Sequence, residues 1–286
     1  MRFATVGGRM KLVAASGKYV DVETASSGRL PADPQAVFER WEDLADWAGS
    51  AVDQYSGVVE TYDDSALGPP SPRPRQVFAI GFNYRDHVDE AGTTVPEALQ
   101  TFSKFQSAIA GPYADVVLPS QHVDWEAELV VVMGRTAHRV DELDAWGHVA
   151  GLTIGQDYSE RALQMAGAFP QFSLAKSFPG FAPIGPVLVT PDELADPDDL
   201  EIECEINGEQ IQSGRTSAMI FPVATLIARL SAVCTLYPGD LIFTGTPSGV
   251  GFARTPARYL SPGDVVTTRI ESLGEMRQSC VGSGED

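Results

Sequence analysis

The chain has 286 residues, with 20 Lys or Arg against 39 Asp or Glu, a net charge of −19 at pH 7. That excess of acid leaves nothing to neutralise a run of phosphates or to settle on an anionic bilayer, which excludes nucleic acid and membrane surfaces as expected partners. Hydrophobic residues at 43% and charged residues at 21% describe a folded globular chain rather than a disordered one.

The chain opens on Met1-Arg2-Phe3-Ala4-Thr5-Val6 and runs into Gly7-Gly8, without a charged-then-apolar leader, so a cytosolic protein is expected. Residues 1 to about 70 are mixed. A strand-like run at Met10 to Ala14 precedes a helix expected around Pro34 to Ala48, with Val37, Phe38, Trp41, Leu44 and Trp47 at three- and four-residue spacing. The stretch Leu67-Gly68-Pro69-Pro70-Ser71-Pro72-Arg73-Pro74 is dense in turn-formers and marks the boundary of a small N-terminal domain, 1–70, from a larger one, 71–286. From Val77 onward short strand-like runs alternate with turns: Val77 to Ile80, Leu129 to Met133, Gly151 to Ile154, Val187 to Val189, Ile202 to Ile206, Leu241 to Phe243 and Val265 to Ile270. Helical spacing recurs only at Glu160 to Met165 and Val223 to Leu230. Many strands and few helices predict a β-rich α+β fold, a roll or barrel rather than a doubly wound parallel sheet. Cys204, Cys234 and Cys280 fit neither a zinc spacing nor a disulfide framework.

The residues that can carry chemistry fall in the second part. After the strand ending at Ile80, the run Gly81-Phe82-Asn83-Tyr84-Arg85-Asp86-His87-Val88-Asp89-Glu90 puts His87 and Glu90 on one face if it turns helical. A carboxylate beside an imidazole fixes its tautomer and raises its basicity, although an exposed polar loop reads the same way. In Asp124-Trp125-Glu126-Ala127-Glu128 the two glutamates project to one side of a strand that continues as an apolar run. Two carboxylates held together call for a cation or a shared proton. Asp157 closes another apolar strand; with Glu160 three residues on it resembles a capping box, and as a third hard oxygen donor it suits Mg²⁺, Mn²⁺ or Ca²⁺. Lys176 lies among apolar and small residues and can hold a carboxylate or an enolate. The turn after Phe243, Thr244-Gly245-Thr246-Pro247-Ser248-Gly249-Val250-Gly251, lacks both the phosphate-loop and the dinucleotide pattern, so no organic cofactor is expected. It offers backbone amides and the Thr246 hydroxyl to a carboxylate.

Taken in order, these motifs, with Leu174-Ala175-Lys176-Ser177-Phe178, Gly214-Arg215-Thr216-Ser217-Ala218-Met219-Ile220-Phe221 and Pro238-Gly239-Asp240, resemble the fumarylacetoacetate hydrolase family over about residues 75 to 275. The resemblance implies a β-roll catalytic domain, usually dimeric, and the first 70 residues resemble the variable N-terminal domain of the bacterial single-chain members. It implies Glu126, Glu128 and Asp157 as ligands of a divalent metal, His87 and Glu90 as a dyad on a mobile lid, and Lys176 as an active-site lysine. It further implies Arg161, Gln164, Lys104 and Thr246 as groups around the substrate. Many members place Pro after the Lys104 position, where this chain has Phe105-Gln106. The implied activity is hydrolysis of a C–C bond in a short acylpyruvate-like 2,4-dioxo acid, giving a 2-oxo acid and a carboxylic acid. Decarboxylation or isomerisation of a 2-oxo diacid such as oxaloacetate uses the same site without an attacking water. A non-catalytic acidic metal-binding module is the reading from another class.

Overall fold

The computed structural model describes residues 1–14, 18–51 and 63–284. Its backbone is a mixed α+β, strand-rich fold of the predicted kind. In the larger sheet the strands run in the order Tyr19–Asp21, Arg9–Val13, Arg2–Val6, Ala182–Val189, Val149–Gln156, Ala127–Met133, Leu241–Phe243, Val77–Gly81 and Gln100–Ser103. All neighbours along that path are antiparallel except Leu241–Phe243 with Val77–Gly81. A second, five-stranded sheet orders Glu209–Arg215, Glu201–Ile206, Val265–Ile270, Gly274–Gly282 and Val116–Leu118. Among the described residues no helix is long and apolar enough to cross a membrane.

Several elements differ from the sequence expectation in extent, each for a local reason. The helix expected around Pro34 to Ala48 is a 3-10 turn over Ala36–Arg40 followed by an α-helix over Trp41–Ala51. The run Val187 to Val189 is only the end of Ala182–Val189, whose start reads poorly because Pro183 and Pro186 interrupt it. The expected small domain contributes to the main sheet: Arg2–Val6 pairs with Ala182–Val189 and also with Leu67–Gly68, inside the proposed boundary segment. Trp41 lies so close to Gly134 that a Cβ there would come 2.7 Å from its ring.

The strand Ala127–Met133 is buried along its whole length, as is its neighbour Val149–Gln156. Their register sets Glu128 opposite Gly155 and Ala127 opposite Gln156, and the Asp157 amide donates to the Glu126 carbonyl at 2.9 Å. With side chains alternating along each strand, Glu126, Glu128 and Asp157 emerge on one face at the ends of two paired strands. Gly155 is needed in that register because a Cβ there would meet Val130 at 2.5 Å and Phe243 at 2.7 Å. Gln156 ties this end to the second sheet: its carbonyl accepts from the Glu126 amide at 2.9 Å and its amide donates to Thr268 at 2.8 Å.

Candidate active site

Glu126, Glu128 and Asp157 form a buried cluster in which one oxygen from each lies within 4.8 Å of the others. Asp124 is buried beside them, so four carboxylates share the interior with three buried cations, Lys104, Lys176 and Arg161. Lys176 Nζ donates to Glu126 Oε2 and to Asp157 Oδ2, both at 2.7 Å. Lys104 donates to Asp157 Oδ1 and to the Lys176 carbonyl. Arg161 spans Asp124 (Nε to Oδ2, 2.9 Å), Glu126 (Nη2 to Oε1, 2.7 Å) and Gln164 (Nη1 to Oε1, 2.9 Å), with Phe252 stacked under its guanidinium at 4.4 Å. Glu128 has no salt bridge among the described residues; its Oε2 accepts the Gly245 amide at 2.8 Å.

The electrostatics follow from that count. Burial, joined by the charges of Asp157 and Glu126, pushes the Glu128 carboxyl well above the usual range. Burial also opposes ionisation of Glu126, but Lys176 and Arg161 outweigh it and hold that carboxyl at about 2. For Lys176 the burial cost is outweighed by Asp157 and Glu126 and its ammonium is stabilised, whereas burial dominates at Lys104 and lowers it. Three clustered carboxylates, one of them driven toward its neutral form by burial and by the charges of the other two, are a donor set that fits a hard divalent cation.

A cavity of about 640 Å³ opens beside the cluster. Of the groups expected around the substrate or in catalysis, it exposes His87, Arg161, Gln164, Lys176 and Thr246, together with Glu126. Much of the remaining wall is apolar or aromatic, with Phe82, Phe102, Phe172 and Phe252. His87 sits in the short helix Arg85–Glu90, and its Nδ1 lies 3.3 Å from Glu90 Oε2. Phe82 stacks on the imidazole at 5.6 Å between ring centres.

Three placements depart from the sequence reading. Lys104 is not among the groups lining the cavity, because its fully buried side chain is drawn to Asp157. The Thr246 hydroxyl lines the cavity but donates to the Ala127 carbonyl at 2.8 Å and accepts from Gln212 Nε2 at 2.8 Å. Asp157 is not a helix cap: Glu160 caps Arg161–Gln164, accepting the Leu163 amide, which leaves Asp157 to the cluster. The sequence assigns no role to Asp124 or Gln212. Asp124 stands two residues before Glu126, but nothing local signals that it seats Arg161; Gln212 reaches the Ala127 amide from the second sheet, 85 residues away.

The sequence signature described as fumarylacetoacetate (FAA) hydrolase C-terminal spans residues 76–281. The chain belongs to the fumarylacetoacetate hydrolase family. As a member of that family it is an enzyme, and its relatives differ in what they catalyse. It is 43% identical to the human mitochondrial oxaloacetate tautomerase FAHD2A over 271 residues, 94% of this chain and 86% of that protein. A solved Mycobacterium smegmatis structure matches with a TM-score of 0.91 at 52% identity, covering 99% of this chain and 100% of that one. Maleylpyruvate hydrolase from Sphingobium sp. SYK-6, solved with manganese(II) and pyruvate, matches with a TM-score of 0.79 at 27% identity over 99% of this chain and 100% of that one.

Proposed function

We propose that this family member catalyses keto–enol interconversion of a short 2-oxo diacid of the oxaloacetate class, in the presence of a divalent metal. The observation that carries the reading is the shared cavity in which Glu126, Lys176 and the Glu90-paired His87 face one small volume. The 43% identity to an oxaloacetate tautomerase over nearly the whole chain supports the choice of substrate.

Glu126, Glu128 and Asp157 would hold the metal, Mg²⁺ or Mn²⁺ with Ca²⁺ also compatible, and bound there it supplies Lewis-acid polarisation of the 2-oxo group. Four carboxylates against three cations leave the site one charge negative, a surplus that a bound divalent cation would reverse in favour of an anionic acid. Lys176 offers its ammonium to the oxygen that gains charge as the enolate develops. His87, with Nδ1 held by Glu90, has Nε2 to carry the proton: the enol O–H loses one and C3 gains one on going to the ketone. Arg161 and Gln164 line the wall against which the carboxylates lie, Thr246 presents the edge of its hydroxyl there, and Lys104 acts through Asp157. The aromatic wall keeps competing water scarce.

Hydrolysis of an acylpyruvate-like acid is the second reading. The carboxylate-held imidazole favours it, since the same base can take a proton from water attacking a distal carbonyl. Family membership supports a homodimer, and a cytosolic setting is proposed with it.

Stopped-flow loss of enol absorbance from oxaloacetate, with Mg²⁺ or Mn²⁺ and with chelator, tests the proposal. Acceleration that needs the metal and drops on the order of 100-fold or more in His87→Ala is expected. No acceleration, with release of pyruvate and a carboxylic acid from an acylpyruvate, would replace it by the hydrolase.

A further inference from the structure

The glycine-rich turn after Phe243 has a second role that the cavity does not reveal. Its amides are spent on the buried Glu128 and Asp124, on the half-buried Glu90 and on the exposed Asp86. Gly245 donates to Glu128 Oε2 at 2.8 Å, Ser248 to Asp86 Oδ2 at 3.3 Å, Gly249 to both Glu90 oxygens at 3.0 and 3.1 Å, and Gly251 and Phe252 to the two oxygens of Asp124 at 2.7 and 3.0 Å. The Ser248 hydroxyl adds a bond to Asp86 Oδ2 at 2.8 Å. Two of these carboxylates, Asp86 and Glu90, lie on either side of His87 in the same six-residue helix.

A six-residue helix has little stability of its own, because nucleation is costly and few internal hydrogen bonds follow. Its entrance is fixed by Asn83, whose side chain donates to the Phe221 and Thr244 carbonyls and accepts the Phe221 amide. The turn itself is seated firmly: Gly249 has φ +108°, and a Cβ there would come 2.1 Å from the Ile211 carbonyl oxygen. A rigid turn thus grips a marginal helix at both ends of the His87 turn.

We propose that the turn is the latch of the His87 helix, and that Ser248 and Asp86 are positioning residues for His87. This rests on the reading of His87 as the proton carrier for its effect on turnover, but the latch itself does not depend on any substrate. The Ser248–Asp86 contact is the informative one, because Ser248 touches the helix from outside and neither residue lines the cavity.

Amide hydrogen exchange over residues 85–92 of the full-length protein tests the latch without substrate. Ser248→Ala is expected to speed exchange there about fivefold, as loss of one side-chain hydrogen bond implies, with the Ala127–Met133 strand unchanged. Ser248→Thr, which keeps the hydroxyl, restores wild-type exchange. Asp86→Ala speeds exchange further, and adding Ser248→Ala to it changes nothing, because the two act through one another. Where wild-type turnover is measured, Ser248→Ala lowers kcat at unchanged KM. Wild-type exchange in Ser248→Ala, or effects that add in the double variant, would overturn the latch. A protein that shows the exchange pattern yet turns over no oxo acid would overturn the proposed function and leave the latch standing.

Discussion

Lys176 stands between two carboxylates that a divalent cation would also need. All four oxygens of Glu126 and Asp157 are taken by protein cations: Arg161 and Lys176 hold Glu126, and Lys104 and Lys176 hold Asp157. Among the described residues only Lys176 bridges the pair, so a cation entering the cluster competes with its ammonium for both. Lys176→Met is therefore expected to bind Mn²⁺ at least about tenfold more tightly than the wild type, since a unit charge about 4 Å away at an effective dielectric near 20 is worth several kcal/mol. Titration calorimetry reads this apart from turnover, which should fall in the same variant. Lys104→Met is the control, because it removes an equal charge from Asp157 without vacating the bridge. An equal gain in both variants would mean that charge, and not position, sets the affinity. The Glu126–Glu128 pair is legible in the sequence because Glu-x-Glu on a strand obeys a period-two rule that needs only local chain, whereas Asp157 joins it only through the family resemblance. The role of Lys104 is not legible, since its distance from the cavity depends on where three separate segments pack.

At the scale of an element, the first strands show how polar side chains set local order. Asp21 ends Tyr19–Asp21, pairs with Arg9 at 2.7 and 2.9 Å and with Lys11 at 2.9 Å on the neighbouring strand, and caps Val22–Ala25 by accepting the Thr24 amide at 2.9 Å. The Arg9 bonds lead the effects that hold its carboxyl well below the usual range. A folded value below the unfolded one, about 3.9 for Asp, gives stability that is present above that unfolded value and lost as pH falls toward the folded one. Asp21→Asn keeps an oxygen for the cap but loses the charge. It is expected to melt below the wild type at pH 7, and the gap should narrow steadily from pH 4 down to pH 2. A gap that is constant with pH would show that shape at this turn matters and charge does not. None of this was readable beforehand: the sequence places a strand near Met10 but gives no register, and without register Asp21 has no partner. The glycine-rich turn illustrates the same limit. Its composition announces a backbone that exposes amides, yet which carboxylates receive them is decided by strands and a helix far away in the chain.

Across the whole molecule, the main question is how independent the first 70 residues are. The turn-formers from Leu67 to Pro74 read as a boundary, and the family resemblance agrees, because neither turn composition nor a match of motifs reports strand pairing. The strand Arg2–Val6 nevertheless covers the edge of Ala182–Val189, the Met1 ammonium reaches Thr190 and Glu193, and one continuous core joins Phe3, Met10 and Trp41 to Met133, Leu188 and Val189. A chain shortened to 71–286 would bare the Leu188–Val189 end of the apolar strand Ala182–Val189, an edge open to pairing with other molecules, and would strip Trp41 from Gly134. It also loses Gln35, whose carbonyl accepts from Ser71 and from the Arg73 amide where the two parts meet. The shortened chain is therefore expected to aggregate or to melt without a cooperative transition by circular dichroism, and co-expression of residues 1–70 should restore a soluble complex. A cooperative melt of the 71–286 chain alone would show that the boundary seen in the sequence is also a thermodynamic one. The two outcomes differ because a sheet shared across a boundary makes folding of each side conditional on the other, whatever the turns between them suggest.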